Sequence, residues 1–204
     1  MTDTTTDSTT TRDAAKAEFR RNPNPREAYR ITMQIEDAPG PFGLVRAFAQ
    51  YDVVNPECLP PPNDNNGHTW PVPTDAAEIT LTRDADGSYS GVVYADYMLD
   101  EDYHGRGVCK WQLIQAQAQL KATGEPGRGE TNFMPSLPQA DIYQERSRIL
   151  NFAKASYPDT GANLAELPDY EYPSSGQVDR SRMAAELTDN DIFQIEVSAK
   201  RIAP

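Results

Sequence analysis

Strict alternation of apolar and polar side chains recurs along this chain and commits much of it to β-strands. Tyr29, Ile31, Met33 and Ile35 alternate with Arg30, Thr32 and Gln34. Val45, Ala47, Ala49, Tyr51 and Val53 repeat the pattern, with Arg46 and Gln50 on the other parity. Phe193, Ile195, Val197 and Ala199 do the same near the C-terminus. A period of two puts every second side chain on one face, as a half-buried strand requires. Ile79 and Leu81 alternate with Thr80 and Thr82, and Asp84-Ala85-Asp86-Gly87 then leads into residues 89–98. Asp-Gly supplies the positive φ of a tight hairpin turn. Val92, Tyr94 and Met98 share one parity and Val93, Ala95 and Tyr97 the other, which suits a central strand apolar on both faces.

Residues 109–123 form the longest expected strand. Cys109, Trp111 and Leu113 share a face, whereas Ile114, Ala116, Ala118 and Leu120 carry the opposite parity. That switch predicts a bulge between Leu113 and Ile114. Gln and Ala also suit a helix. However, Gln115, Gln117 and Gln119 alternate strictly with Ala116, Ala118 and Leu120, which favours strand. A short strand follows at Thr131 and Phe133. About seven strands joined by turn-rich connections predict a mainly β fold, an antiparallel immunoglobulin-like β-sandwich with one capping helix.

The 204 residues suit one domain. Residues 1–27 read as a disordered tether: 1–12 are nearly all Thr, Asp and Ser, and Asn22-Pro23-Asn24-Pro25 stops a short helical turn. Residues 28–204 read as a single sandwich domain. Residues 55–76 hold a long Pro-rich loop. Ile142, Arg146, Ile149, Leu150 and Ala153 recur at helical spacing and place the helix near 138–155. Residues 156–190 are expected to be irregular, with at most a helical turn at 183–187.

The net charge of -12 and pI near 4.6 disfavour a nucleic-acid binder, which needs a basic face for phosphates. An anionic membrane surface is disfavoured for the same reason. The natural counterpart is a basic protein or a cation. No apolar run approaches the ~18 residues of a membrane helix.

Cys58 and Cys109 are the only cysteines. A single pair beside strands and turns points to one disulfide and an oxidising compartment, the alternative being two buried free thiols. Residues 1–12 hold no apolar signal-peptide core. Two expectations meet this: a cytoplasmic protein with free thiols, or an envelope protein whose leader has been cut away. The second is preferred.

Catalytic patterns are sparse, and no enzyme activity is expected. His68 and His104 have no His-x-x-x-His or Cys-x-x-Cys company. No serine sits in Gly-x-Ser-x-Gly, and no phosphate-binding glycine loop occurs. No cofactor is expected, nor any metal; Asp84 and Asp86 partly resemble a calcium loop but lack its further ligands, and a plain hairpin turn is preferred. Asp100, Glu101 and Asp102, followed by Tyr103 and His104, read either as a solvated loop or as an exposed recognition loop. In the second reading charge supplies rate and specificity and the aromatic side chain supplies energy.

Tyr29-Arg30-Ile31-Thr32, leading to Asp37-Ala38-Pro39-Gly40-Pro41-Phe42, carries a resemblance. So does Val93-Tyr94-Ala95-Asp96, running on through Asp100-Glu101-Asp102-Tyr103 to Gly105-Arg106-Gly107-Val108-Cys109-Lys110-Trp111. Residues 27–155 resemble small Gram-negative envelope proteins, many of them lipoproteins, with Gly-x-Cys-x-Trp on a sandwich strand. Such proteins often sit in antibacterial toxin–immunity loci. The resemblance implies a non-enzymatic immunity protein that occludes a basic toxin. It also implies a periplasmic or outer-membrane-tethered location, and a lipid anchor on the native precursor. The alternative is a carbohydrate or cell-wall binding module in which Trp70, Trp111 and tyrosines stack on sugars. A hydrolase without a recognisable motif is a third reading.

Overall fold

The computed structural model describes residues 19–61, 72–124, 130–158 and 172–203. Its strands build two sheets of a β-sandwich. The first comprises β1 (Ala28–Glu36), β4 (Thr82–Arg83), β5 (Tyr89–Tyr94), β9 (Ser147–Ala153) and β11 (Ile192–Arg201), in the order β4-β5-β1-β11-β9. The second comprises β2 (Leu44–Val53), β3 (Thr74–Ile79), β6 (Trp111–Lys121), β7 (Thr131–Phe133), β8 (Ser136–Pro138) and β10 (Tyr172–Ser174). It runs β10-β7-β6-β2-β3, with β8 also on β6. Pairing is antiparallel except for β10 beside β7. The described residues thus hold eleven strand segments rather than about seven.

The alternating runs face inward as their period requires. Tyr29, Ile31 and Met33 are buried on β1, as are Ala47, Ala49, Tyr51 and Val53 on β2. Phe133 from the second sheet meets Phe152 and Phe193 from the first, at ring-centroid distances of 5.5 and 5.2 Å. Each such buried ring contributes about 1.5–3 kcal/mol, so this trio helps clamp the sheets together.

The bulge on β6 falls where the parity switch places it. Gln50 pairs with Gln115 and Tyr51 with Leu113, so Ile114 is passed over. The extra residue lets Trp111 and Leu113 face the core together with Ala116, Ala118 and Leu120. The hairpin turn between β4 and β5 also forms: Gly87 sits at φ 89° and its N–H donates to the Asp84 carbonyl (3.0 Å).

Three expectations are corrected. The helix at 138–155 shrinks to α1 (Gln139–Tyr143). Glu145 adopts φ 52°, and the Arg146 N–H turns back to the Asp141 carbonyl (2.9 Å), so the chain enters β9. Ile149 is 45% exposed, whereas Leu150 and Phe152 face inward. The strand expected over 89–98 ends at Tyr94. Residues 19–27, expected within the tether, are bonded to the sandwich: Arg21 and Met98 form an isolated bridge, and the Asn22 N–H donates to the Tyr97 carbonyl (2.7 Å). No helix among the described residues is long and apolar enough to cross a membrane.

Candidate interaction surface

One end of the sandwich gathers residues 19–27, 55–59 and 96–111. Its base is the disulfide between Cys58 and Cys109, with Cα atoms 5.2 Å apart and both residues buried. Asn55 locks the same corner. Its Oδ1 accepts the Lys110 N–H (2.6 Å) and its Nδ2 donates to the Val108 carbonyl (2.9 Å). Trp111 is only 8% exposed and lies under Phe19, ring centroids 5.0 Å apart. Phe19 also meets Tyr103 (4.9 Å) and His104 (6.0 Å) edge-on. Trp111 therefore packs as core and presents no open platform for a sugar ring. Trp70 and His68 lie outside the described residues.

The loop at 100–104 is fastened rather than free. Asp100 accepts the Trp111 N–H (2.8 Å) and pairs with Lys110 (3.0 Å). Glu101 is paired with Arg20, whose Nε donates at 2.7 Å, and its carbonyl accepts the Cys109 N–H (2.9 Å). The hydrogen bond to Glu101 in turn raises the pKa of the Arg20 guanidinium. Asp102 Oδ1 accepts the backbone N–H of Arg106 (2.9 Å) and of His104 (3.3 Å). Desolvation pushes the Asp102 pKa up, but the backbone donors of residues 104–107 outweigh it and hold the carboxylate below its ordinary value. The Tyr103 hydroxyl donates to the Leu99 carbonyl (2.7 Å), and desolvation raises its pKa. Asp100 and Asp102 remain exposed, as expected, while Glu101, Tyr103 and His104 are half-buried. The five residues thus form one rigid rim above the disulfide. Two of its three acids are neutralised locally.

Sequence reasoning missed the residues that hold this rim. Arg20 reads as tether, and nothing in its neighbourhood marks it as the partner of Glu101. Asp96 reads as the start of an acidic cluster. In the fold its carboxylate accepts the N–H groups of Arg26 (2.8 Å) and Glu27 (3.0 Å). Asn55-Pro56 did carry a signal, since Asn before Pro favours a turn.

The calcium candidates Asp84 and Asp86 both turn towards Ser88. Asp86 Oδ1 accepts the Ser88 hydroxyl (2.7 Å) and N–H (3.0 Å), and the hydroxyl bond is the main reason its pKa is lowered. That is the bonding of a hairpin turn. Among the described residues, no group of three or more His, Cys, Asp or Glu side chains is placed to hold a metal ion. No protein-family model matches the chain, and neither a curated protein nor a solved structure matches it.

Proposed function

We propose that the protein is a non-enzymatic inhibitor that binds a secreted antibacterial toxin and covers its basic active-site cleft. The observation that carries this reading is the pre-organised rim at 100–104, braced by Arg20, Asn55 and the disulfide. A recognition loop already held in one shape loses little conformational freedom on binding. The chain-wide charge of -12 supplies long-range attraction for a cationic cleft. The resemblance to envelope immunity proteins points the same way. The same proposal includes an oxidising location, in the periplasm or on a tether from the outer membrane by a lipid anchor on the precursor; the disulfide supports that compartment.

The test is co-expression with the toxin encoded at the same locus, both directed to the periplasm. Growth rescue together with a co-eluting complex is the expected result. Absence of both would overturn the reading. Asp102→Asn keeps the Oδ1 acceptor but removes a charge, so it is expected to fold normally. It should slow association about two- to threefold at low salt and little at high salt.

A further inference from the structure

The sheet edges of this sandwich are not equally protected. β4 is two residues long. β9 is bridged on its outer side, where Asn151 and Gln177 exchange N–H···O bonds of 2.9 Å. β10 and β8 are three residues each and contain Pro173 and Pro138. Only β3 offers a long edge with no partner among the described residues. It has no Lys, no Pro and no bulge, and its charges, Asp75 and Glu78, are both acidic, so they repel an acidic strand and admit a basic one.

The register shows which groups that edge presents. The Val53 N–H donates to the Pro73 carbonyl (3.1 Å), so β3 bonds to β2 through Asp75, Ala77 and Ile79. Alternation then turns the N–H and C=O groups of Thr74, Ala76 and Glu78 outward. Their side chains are exposed, and no ion pair among the described residues involves Glu78. Beside this edge runs a cleft of about 420 Å³ between β3 and β5, floored by Ala49, Ala77, Ile79 and Val93. At one end residues 80–81 cross between the sheets. There a Cβ on Gly91 would stand 2.5 Å from Ile79 Cγ2, so only glycine allows so close an approach. At the other end Arg21 grips Asp75 (3.1 Å) and lies 5.4 Å over the Tyr97 ring. The β5 wall turns the Tyr94 carbonyl into the cleft, where it accepts the Tyr51 hydroxyl (2.8 Å).

We propose that β3 takes an added strand: an extended, cationic segment of a protein partner that hydrogen-bonds to Thr74, Ala76 and Glu78. Main-chain bonds give such a segment its affinity, and alternate side chains give it specificity. A basic residue beside Glu78 meets its exposed carboxylate. Arg30 lines the same cleft from β1, so the acidic side is the β3 side. A second copy of this chain fits the edge less well, because each copy carries a charge of -12. The inference rests on the reading of a basic protein partner and adds the surface and the mode of contact.

The probe is an acetylated, amidated heptapeptide of alternating threonine and lysine, with a glutamate-for-lysine control, followed by amide exchange in NMR. The amides of Ala76 and Glu78 should exchange freely in the protein alone and become protected by the lysine peptide. Those of Asp75, Ala77 and Ile79 should be protected throughout. Ala76→Pro removes an outward donor without touching the β2 ladder and should abolish the protection. Should that variant fail to fold, Glu78→Lys leaves the backbone intact and should weaken the lysine peptide about tenfold while favouring the glutamate control. Free exchange at Ala76 and Glu78 under saturating peptide would overturn the proposal. So would protection that grows with protein concentration and no peptide, which would mean self-pairing. Toxin capture with an unprotected β3 edge ends this inference and leaves the inhibitor reading standing; peptide protection without toxin capture does the reverse.

Discussion

Asp96 holds the segment at 19–27 onto the sandwich by accepting two backbone N–H groups at 2.8 and 3.0 Å. Asp96→Ala hands those donors, on exposed residues, to water. It should cost about 0.5–1.5 kcal/mol in urea unfolding and speed amide exchange at Arg26 and Glu27 before anywhere else. Trp111→Ala should cost about 3–5 kcal/mol, as large aromatic deletions from a core do. An unchanged unfolding midpoint would show that Trp111 is dispensable to packing. The burial of Trp111 was legible in its shared parity with Cys109 and Leu113. Its cover by Phe19, ninety-two positions away in a segment read as tether, was not. The acids at 100–102 teach the same lesson. The exposure of Asp100 and Asp102 follows from a run of charge, but the N–H groups those two accept are set by the return of the chain at Arg106 and Trp111. Replacing all three with Ala should therefore lower stability measurably, whereas a purely solvated loop would tolerate it.

The segment from α1 into β9 is where sequence periodicity misled. Ile142, Ile149 and Leu150 fit a helix, and a short apolar run fits either state. The structure decides through Asp141, which is buried and pairs with Arg146 and Arg148, both at 2.8 Å. Two arginines drawn to one carboxylate fold the chain back, and Glu145 takes the left-handed conformation to allow it. Glu145→Gly should then raise stability by about 0.5–1 kcal/mol. The left-handed strain of about 1–2 kcal/mol is relieved, partly offset by the greater freedom of glycine in the unfolded chain. A lower midpoint would show that the Glu145 side chain matters more than its backbone. By contrast, β1, β2, β11 and the β6 bulge were legible because each spans enough residues to show a parity. β10 was not, since three residues carry no period and exist only by virtue of the neighbour that binds them; β4, two residues long, showed only through the Asp-Gly turn that follows it.

Across the whole molecule, the disulfide closes a loop of 51 residues. The chain-entropy estimate for that length is about 4 kcal/mol. Reduction or Cys58→Ala with Cys109→Ala should lower stability by up to about that amount in urea unfolding; identical midpoints with and without reductant would refute it. A second prediction concerns acid. Asp86, Asp179 and Asp191 have lowered pKa values, chiefly because they accept the hydroxyls of Ser88, Ser181 and Thr188. Asp102 is lowered too, its backbone donors outweighing desolvation. Groups depressed in the folded state stabilise it above the unfolded value of 3.8 and lose that contribution as pH falls through the folded values. The melting temperature should be level from neutral pH to about 5 and drop below about 4, less steeply when all four are changed to Asn. The topology has one more consequence. β11 lies between β1 and β9, and its eight residues from Gln194 to Arg201 all pair with β1. The strand that joins β9 to the rest of the first sheet is thus the latest of the described strands in chain order. Until β11 is in place, β1 and β9 have no common neighbour, and the first sheet cannot be completed. Completion of the first sheet therefore waits on the strand that is latest in the chain among those described.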